Sequence, residues 1–330
     1  MRSLAVTESS QVAAARRAAV EMAGTLGADE TAAGKVAIVA TELCTNIVKH
    51  GGGGELLLSK FDDSGSEGIE LIALDRGRGI ADVAAARRDG FSTAGSAGHG
   101  LGAVHRQSQS VEVASWPAVG TAILARVSVT NRPSAPTPTR PTYGAVCIPK
   151  QGEEVCGDAW AVLDSPLGRT LLVADGLGHG PQAATASVEA IRLFTRHQTR
   201  RVPEILDTLH NGLRATRGAA VAIARFEAER QVVIYGGIGN IAGAIVNGTE
   251  TRRMISLNGT AGHVARRIQT FDYPYSGGLV IMHSDGLATA WSLDRYPGIT
   301  RMHPTLIAAV LYRDCSRGRD DVTVLVAVGR

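Results

Sequence analysis

The sequence has no run approaching the roughly 18 consecutive apolar residues of a membrane span, and its opening, MRSLAVTESSQVAAARR, contains no apolar signal-peptide core. No membrane association is expected. Cysteine is scarce: Cys44, Cys147, Cys156 and Cys315 form no closely spaced metal-binding pair. A reducing, cytoplasmic location is the expectation that follows. A strong charge of one sign is also missing, since the net charge is only +3. Residues 1–130 carry 12 basic and 14 acidic side chains, and residues 131–330 carry 22 and 17. The arginine pairs Arg200–Arg201, Arg252–Arg253 and Arg266–Arg267 are not interleaved with aromatics, so they read as solvated surface and no nucleic-acid partner is expected.

What is present is ordinary globular material, 44% hydrophobic and 20% charged, in 330 residues. That length exceeds the size at which single cores stop growing, so two domains are expected. The segment TNRPSAPTPTRPT, Thr130 to Thr142, holds four prolines in a polar run that suits neither helix nor sheet. It divides the chain into residues 1–130, a linker at 131–142, and residues 143–330. Proline-rich chain extends by about 3.1 Å per residue, so the linker can hold two domains roughly 25–30 Å apart.

In the first part, Val12, Ala19, Met22 and Leu26, and then Val36, Val39, Leu43 and Ile47, recur at helical spacing. Strand-like runs follow at 55–61, 69–75, 110–116 and 121–129, with a short helix after Gly100. One layer of helices on a mixed sheet is expected. After the linker, strands are expected at 143–149, 158–164, 170–174, 219–227, 231–236, 241–246, 279–284 and 322–328, and helices at 181–198, 203–216 and 303–313. Helices gathered in blocks among many strands point to a layered α+β sandwich.

Three segments of the first part carry chemistry. In TELCTNIVKH, Glu42 and Asn46 are four residues apart and share a helix face. In IALDRGRGI, Asp75 closes a strand, and Gly77 and Gly79 let backbone pass close to a flat ligand. In GSAGHGLGAV, four glycines precede a helix start, where N–H groups and the macrodipole favour phosphate. Taken singly, these are a solvated helix face, a turn and a flexible loop.

Together and in order, they resemble the nucleotide-binding boxes of the GHKL ATPases, the superfamily of histidine kinases and gyrase. The short domain and the helix GLGAVHRQS are most similar to the anti-sigma and switch-protein serine kinases of the RsbT type, over about residues 8–130. The resemblance implies a Bergerat α/β sandwich and an ATP site. Asp75 would bond the adenine amino group with Gly77 and Gly79 beside it, and Thr121 would support the pocket. Asn46 would hold Mg²⁺, and Gly98, His99, Gly100, Leu101 and Gly102 would wrap the phosphates. Glu42 would be the base that accepts a serine proton.

In the second part, acidic residues stand at strand ends: Asp158 in CGDAW, Asp175 in VADGLGHG, Asp285 in HSDGL, and Asp320 and Asp321 in GRDDVTVLV. A single Asp-Gly is usually a turn. Four acidic spots, each against an apolar strand, instead suit hard oxygen ligation of Mn²⁺ or Mg²⁺. The pattern resembles the SpoIIE and RsbX branch of type-2C metal-dependent serine/threonine phosphatases, over roughly residues 142–330. That implies a second α/β sandwich with two metal ions. Asp175 would bridge them, Gly176 would lend its carbonyl, Asp285 and Asp320 (with Asp321 beside it) would bind one ion, and Asp158 would act through water. Asp175 and Asp285 would be catalytic through the metals. Leu177 follows the ADG glycine where many relatives have His, and His179 comes two positions later, so the general acid stays open. YGGIGN (235–240) resembles the family's G-x-G-N turn, and His263 in LNGTAGH is a further candidate.

The two resemblances imply a bifunctional bacterial switch enzyme, a serine/threonine protein kinase joined to a phosphatase. Its expected partners are STAS-domain proteins, either anti-sigma factor antagonists or a stressosome-like scaffold, and a homodimer is compatible with the reading. The alternative is a nucleotide-dependent sequestering module fused to an active phosphatase.

Overall fold

The computed structural model describes residues 1–63, 66–83, 100–130 and 142–329. Its contacts divide the chain into two units, Met1–Pro141 and Thr142–Arg330. Apart from Thr142, the expected linker, 131–142, lies outside the described residues, as do Gly98 and His99.

The first unit runs β1 (Arg2–Val6), α1 (Ser9–Gly24), α2 (Glu30–Asn46), β2 (Gly54–Asp63), β3 (Ser66–Asp75), α3 (Gly100–Gln107), β4 (Ser110–Trp116) and β5 (Gly120–Ser128). Asp29 starts α2 by accepting the Ala32 N–H at 2.7 Å, satisfying one of the donors that a helix start leaves open. The strands form one sheet, β1-β2-β3-β5-β4, in which every neighbouring pair is antiparallel, not mixed as expected. No parallel crossover is needed because β2–β3 and β4–β5 are sequential neighbours and β3 lies directly against β5. Alternate residues Leu56 and Leu58, Ile69 and Leu71, and Ile123, Ala125 and Val127 face the helices. They pack against Ala15, Ala19 and Ala23 of α1 and Val36, Val39 and Leu43 of α2. Helix Glu30–Gly51 has the length and apolar composition to cross a bilayer. Its stripe from Val36 to Ile47 is instead spent on this core.

The second unit runs β6 (Tyr143–Ile148), β7 (Asp158–Ser165), β8 (Gly168–Gly176), α4 (Pro181–His197), α5 (Val202–Gly212), β9 (Ala219–Glu227), β10 (Val232–Ile238), β11 (Ala242–Asn247), β12 (Glu250–Met254), β13 (Phe271–Pro274), β14 (Leu279–His283), α6 (Pro304–Cys315) and β15 (Val322–Val328). Two antiparallel five-stranded sheets result, β13-β10-β9-β8-β7 and β12-β11-β14-β15-β6. Leu171 and Val173 of β8 face the other sheet, in a core with Val280, Met282 and Leu325. Leu172 and Ala174, which alternate with them along the strand, face Ala190 and Phe194 of α4 and Ile205 and Leu209 of α5. The second sheet is covered by α6, which approaches β6 so closely that a Cβ on Gly144 would lie 2.2 Å from Thr305 Oγ1. Layers therefore stack helix, sheet, sheet, helix.

Three strands were not anticipated. β1 is short and its residues 2–5 are not fully buried, whereas β12 and β13 are edge strands, one exposed along four of five residues and the other ending in Pro274. Edge strands carry charge and proline in place of apolar alternation, so their pattern is weak. The helix expected at 203–216 ends at Gly212 and passes into a 3₁₀ turn, Leu213–Ala215.

Because β8 is buried on both faces, Leu171→Ala and Leu172→Ala should each destabilise the second unit by about 2–5 kcal/mol in urea unfolding. A cost below about 1 kcal/mol for either would show that one face of β8 is not core.

Candidate nucleotide and metal sites

Helix α2 does not stop at Asn46 but widens into a π-helical turn, Ile47–Gly51, and Gly52 leaves it with a left-handed φ of 69°. This turn sets Gly51 against the end of β3, where a Cβ would lie 2.4 Å from the Asp75 Cβ. Asp75 Oδ1 accepts the N–H groups of Gly77 at 2.8 Å and Thr121 at 3.2 Å. Gly77 is packed so that a Cβ would lie 2.5 Å from the His50 carbonyl oxygen. Gly79, with φ of 73°, leaves only 2.3 Å to that of Trp116. Thr121 Oγ1 lies 2.9 Å from Ser115 Oγ, which accepts the Ile80 N–H at 2.7 Å. Asp75, Gly77, Gly79 and Thr121 thus form one cluster, and its orientation depends on Ser115 and Gly51.

Glu42 and Asn46 meet the start of α3. A Cβ on Gly100 would lie 3.0 Å from Glu42 Oε2 and 3.6 Å from Asn46 Oδ1. The start of α3 therefore stands beside a carboxylate and an amide, an arrangement suited to phosphate and its cation. Gly102 is buried and Leu101 packs on the core, so both anchor α3.

In the second unit, Asp158 opens β7 and is directly opposite Asp175 near the end of β8. Asp285 follows β14, and Asp320 and Asp321 immediately precede β15, which pairs with β14. The sheets are joined at this end: Ser284 Oγ donates to Asp158 Oδ2 at 2.6 Å and accepts the Thr323 N–H at 2.9 Å. Asp321 Oδ1 accepts the Lys150 N–H at 2.8 Å, Asp320 Oδ1 accepts that of Asp321 at 3.0 Å, and Asp285 Oδ2 accepts from Asn240 Nδ2 at 2.7 Å. Gly176 N–H donates to the Gly157 carbonyl at 3.2 Å.

Like charges across a strand pair repel, and here five carboxyl groups gather. Burial, followed by the charges of Asp158, Asp285, Asp320 and Asp321, pushes the Asp175 carboxyl up to about 9. Burial and then the charge of Asp321 push Asp158 up to about 7, against the hydrogen bond from Ser284. Asp285 is raised by burial and Asp320. Asp158 Oδ1 and Asp321 Oδ2 are buried with no hydrogen-bond partner.

Two orphaned carboxylate oxygens in an all-oxygen donor set fit a hard divalent cation. Among the described residues, no three His, Cys, Asp or Glu side chains already close around one point.

A family model for histidine kinase-like ATPase domains matches residues 5–127. Over 114 residues the chain is 33% identical to the serine/threonine-protein kinase RsbT of Bacillus subtilis (strain 168), covering 34% of this chain and 86% of RsbT. The chain belongs to the RsbT kinase family. Over 140 residues it is also 25% identical to the phosphoserine phosphatase RsbX of the same organism, covering 42% of this chain and 70% of RsbX. A structure solved in work on the bacterial stressosome, described as a modular system adapted to control secondary messenger signalling, superposes with a TM-score of 0.52 at 28% identity. It covers 56% of this chain and 98% of its own. The chain is therefore an enzyme that joins an RsbT-type kinase domain to a domain similar in sequence to the phosphatase RsbX, as the motifs implied.

In this RsbT relative the structure brings Glu42 and Asn46 to Gly100, and Asp75 to Gly77, Gly79 and Thr121. It also gathers Asp158, Asp175, Asp285, Asp320 and Asp321 at one end of the second unit. Sequence reasoning missed Ser115, Gly51, Ser284 and Asn240 as supports. Only Asn240 carried a signal, as the last residue of the GIGN turn. His179 Nδ1 lies 2.6 Å from Glu153 Oε1, and His263 Nε2 lies 3.2 Å from the Thr216 carbonyl oxygen.

The raised carboxyls make the metal-free unit pH-sensitive. Their folded values lie above the usual aspartate value of about 3.9, so the stability gained by keeping them neutral is complete below that pH. It is lost as pH rises through about 7 for Asp158 and about 9 for Asp175. The Tm of the second unit in chelator should therefore fall between about pH 5 and pH 9, and Asp175→Asn should flatten that fall. Mn²⁺ should raise Tm more at alkaline than at acid pH. A metal-free Tm that rises across this range contradicts the assignment.

Proposed function

We propose that this chain is a cytoplasmic switch enzyme that phosphorylates serine or threonine on STAS-domain partners and removes the same phosphate, controlling a sigma factor or stressosome-like output. The observation that carries the phosphatase half is the meeting of Asp158, Asp175, Asp285, Asp320 and Asp321 at one end of the sandwich. The kinase half is supported by the approach of Gly100 to Glu42 and Asn46.

In the first unit, ATP would sit with its adenine amino group on Asp75, flanked by Gly77 and Gly79 and backed by Thr121. Its phosphates would lie along the 98–102 segment, and its Mg²⁺ on Asn46. Glu42, one residue face from Asn46, takes the proton of the attacking hydroxyl. A carboxylate suits that role because its oxygens can accept a proton from a hydroxyl held within hydrogen-bond reach.

In the second unit, Asp175 would be shared between two Mn²⁺ or Mg²⁺ ions, with Asp285, Asp320 and the Gly176 carbonyl as further ligands, Asp158 acting through water and Asp321 beside it. When bound, the ions supply positive charge to phosphoryl oxygens and acidify water for in-line attack. The chain's own contribution is orientation: Ser284 holds Asp158, Asn240 holds Asp285, and the Lys150 N–H holds Asp321.

Incubation with labelled ATP and a purified STAS-domain protein, with and without Mn²⁺, tests the reading. Asn46→Ala should abolish phosphate transfer to the partner and leave Mn²⁺-dependent release unchanged. Glu42→Gln should keep nucleotide binding and lose transfer by about 10²–10⁴-fold, the usual contribution of a general base. Asp175→Asn should abolish release and spare transfer. Wild-type transfer by Glu42→Gln would point instead to a nucleotide-dependent sequestering module, and equal loss of both activities in any single variant would contradict separate sites.

A further inference from the structure

Cys147, on β6, and Cys156, in the loop entering β7, hold their Sγ atoms 3.5 Å apart without a bond between them. They belong to different layers. β6 is an edge of one sheet and β7 an edge of the other, so the contact spans the sandwich at its aspartate end. Cys147 Sγ also donates to the Asp158 carbonyl oxygen at 3.7 Å. Both cysteines are partly exposed, whereas Cys44 is fully buried.

A disulfide holds its sulfurs about 2.05 Å apart, so joining this pair draws the two together by roughly 1.5 Å. The intervening chain has little slack. Between Cys156 and Asp158 lies Gly157, where a Cβ would be only 2.6 Å from Asp321 Oδ2 and 2.7 Å from the Ala183 Cβ. Movement at Cys156 therefore reaches Asp158 and Asp321, each of which has a buried carboxylate oxygen without a hydrogen-bond partner.

We propose that Cys147 and Cys156 are a hydroperoxide-reactive thiol pair whose oxidation to a disulfide reversibly disables the adjoining metal centre. One thiol sulfur attacks a peroxide oxygen; an S–O bond forms, the O–O bond breaks, and a sulfenic acid and an alcohol or water result. The second thiol sulfur then displaces the sulfenic oxygen, forming the S–S bond and releasing water. The pair gives up two electrons and two protons in all, and a dithiol reverses the change. The effect on turnover rests on the phosphatase reading above; the effect on metal affinity does not.

The test uses the full chain, oxidised metal-free with hydrogen peroxide, desalted, and analysed by peptide mapping, Mn²⁺-induced thermal shift and Mn²⁺-dependent hydrolysis of p-nitrophenyl phosphate. A linked Cys147–Cys156 peptide is expected, with Mn²⁺ affinity and turnover each falling about tenfold, as for displaced supporting ligands. Dithiothreitol should restore both. Cys147→Ser and Cys156→Ser should pass through the same treatment unchanged, with Cys156→Ala as the second variant should serine disturb folding. If reduced wild type binds Mn²⁺ and loses it on oxidation but never releases phosphate, the phosphatase reading fails and the thiol proposal stands. The absence of the 147–156 link, or a linked protein with unchanged Mn²⁺ affinity, overturns the proposal.

Discussion

Five aspartates forced to one end of a sandwich repel one another, and much of the second unit is arranged around that repulsion. Asp158 and Asp175 face each other across a strand pair, a position where like charges destabilise a sheet. Their carboxyls respond by holding protons far above the usual aspartate range. Two oxygens, on Asp158 and Asp321, remain buried without partners. A fold selected for stability alone would place apolar or neutral side chains here. The cost is explained if divalent cations replace the protons, since each then finds oxygen ligands already held by Ser284, Asn240 and the Lys150 N–H.

The layers make that concentration of charge tolerable. Antiparallel pairing brings the end of β8 to the start of β7 and the end of β14 to the start of β15. The central strands β8, β14 and β15 are buried on both faces, which fixes their register against slippage, because a one-residue shift of β8 would exchange the inter-sheet core of Leu171 and Val173 with the helix-facing Leu172 and Ala174. The first unit solves a different problem, bringing separate segments of backbone close together around Asp75. It uses glycine where a Cβ would collide: Gly51 at Asp75, Gly77 at the His50 carbonyl and Gly79 at that of Trp116.

Much of this was legible in the sequence, for identifiable reasons. Helix α2 announced itself by the spacing of Val36, Val39 and Leu43, and that helix put Glu42 and Asn46 on a common face. The aspartates were conspicuous because each interrupts or borders an apolar strand. The π-helical turn was not legible, since KHGGGG reads as a loop until Asp75 is seen against Gly51. Ser284 and Ser115 were equally silent, because a serine's partners depend on register between strands distant in sequence. β1, β12 and β13 escaped because a short or edge strand needs little apolar alternation. The mixed sheet expected in the first unit proved antiparallel, as periodicity reports which face is buried but not the direction of a neighbour.

The claim that protons occupy this centre until cations displace them is tested most directly by titrating Mn²⁺ into the metal-free chain at neutral pH, in buffers of different ionisation enthalpy. With Asp175 at about 9 and Asp158 at about 7, binding should release roughly one proton or more, and the release should shrink as pH approaches the Asp175 value. Heat that is independent of the buffer at neutral pH would mean that the carboxylates are already ionised, and would contradict the account.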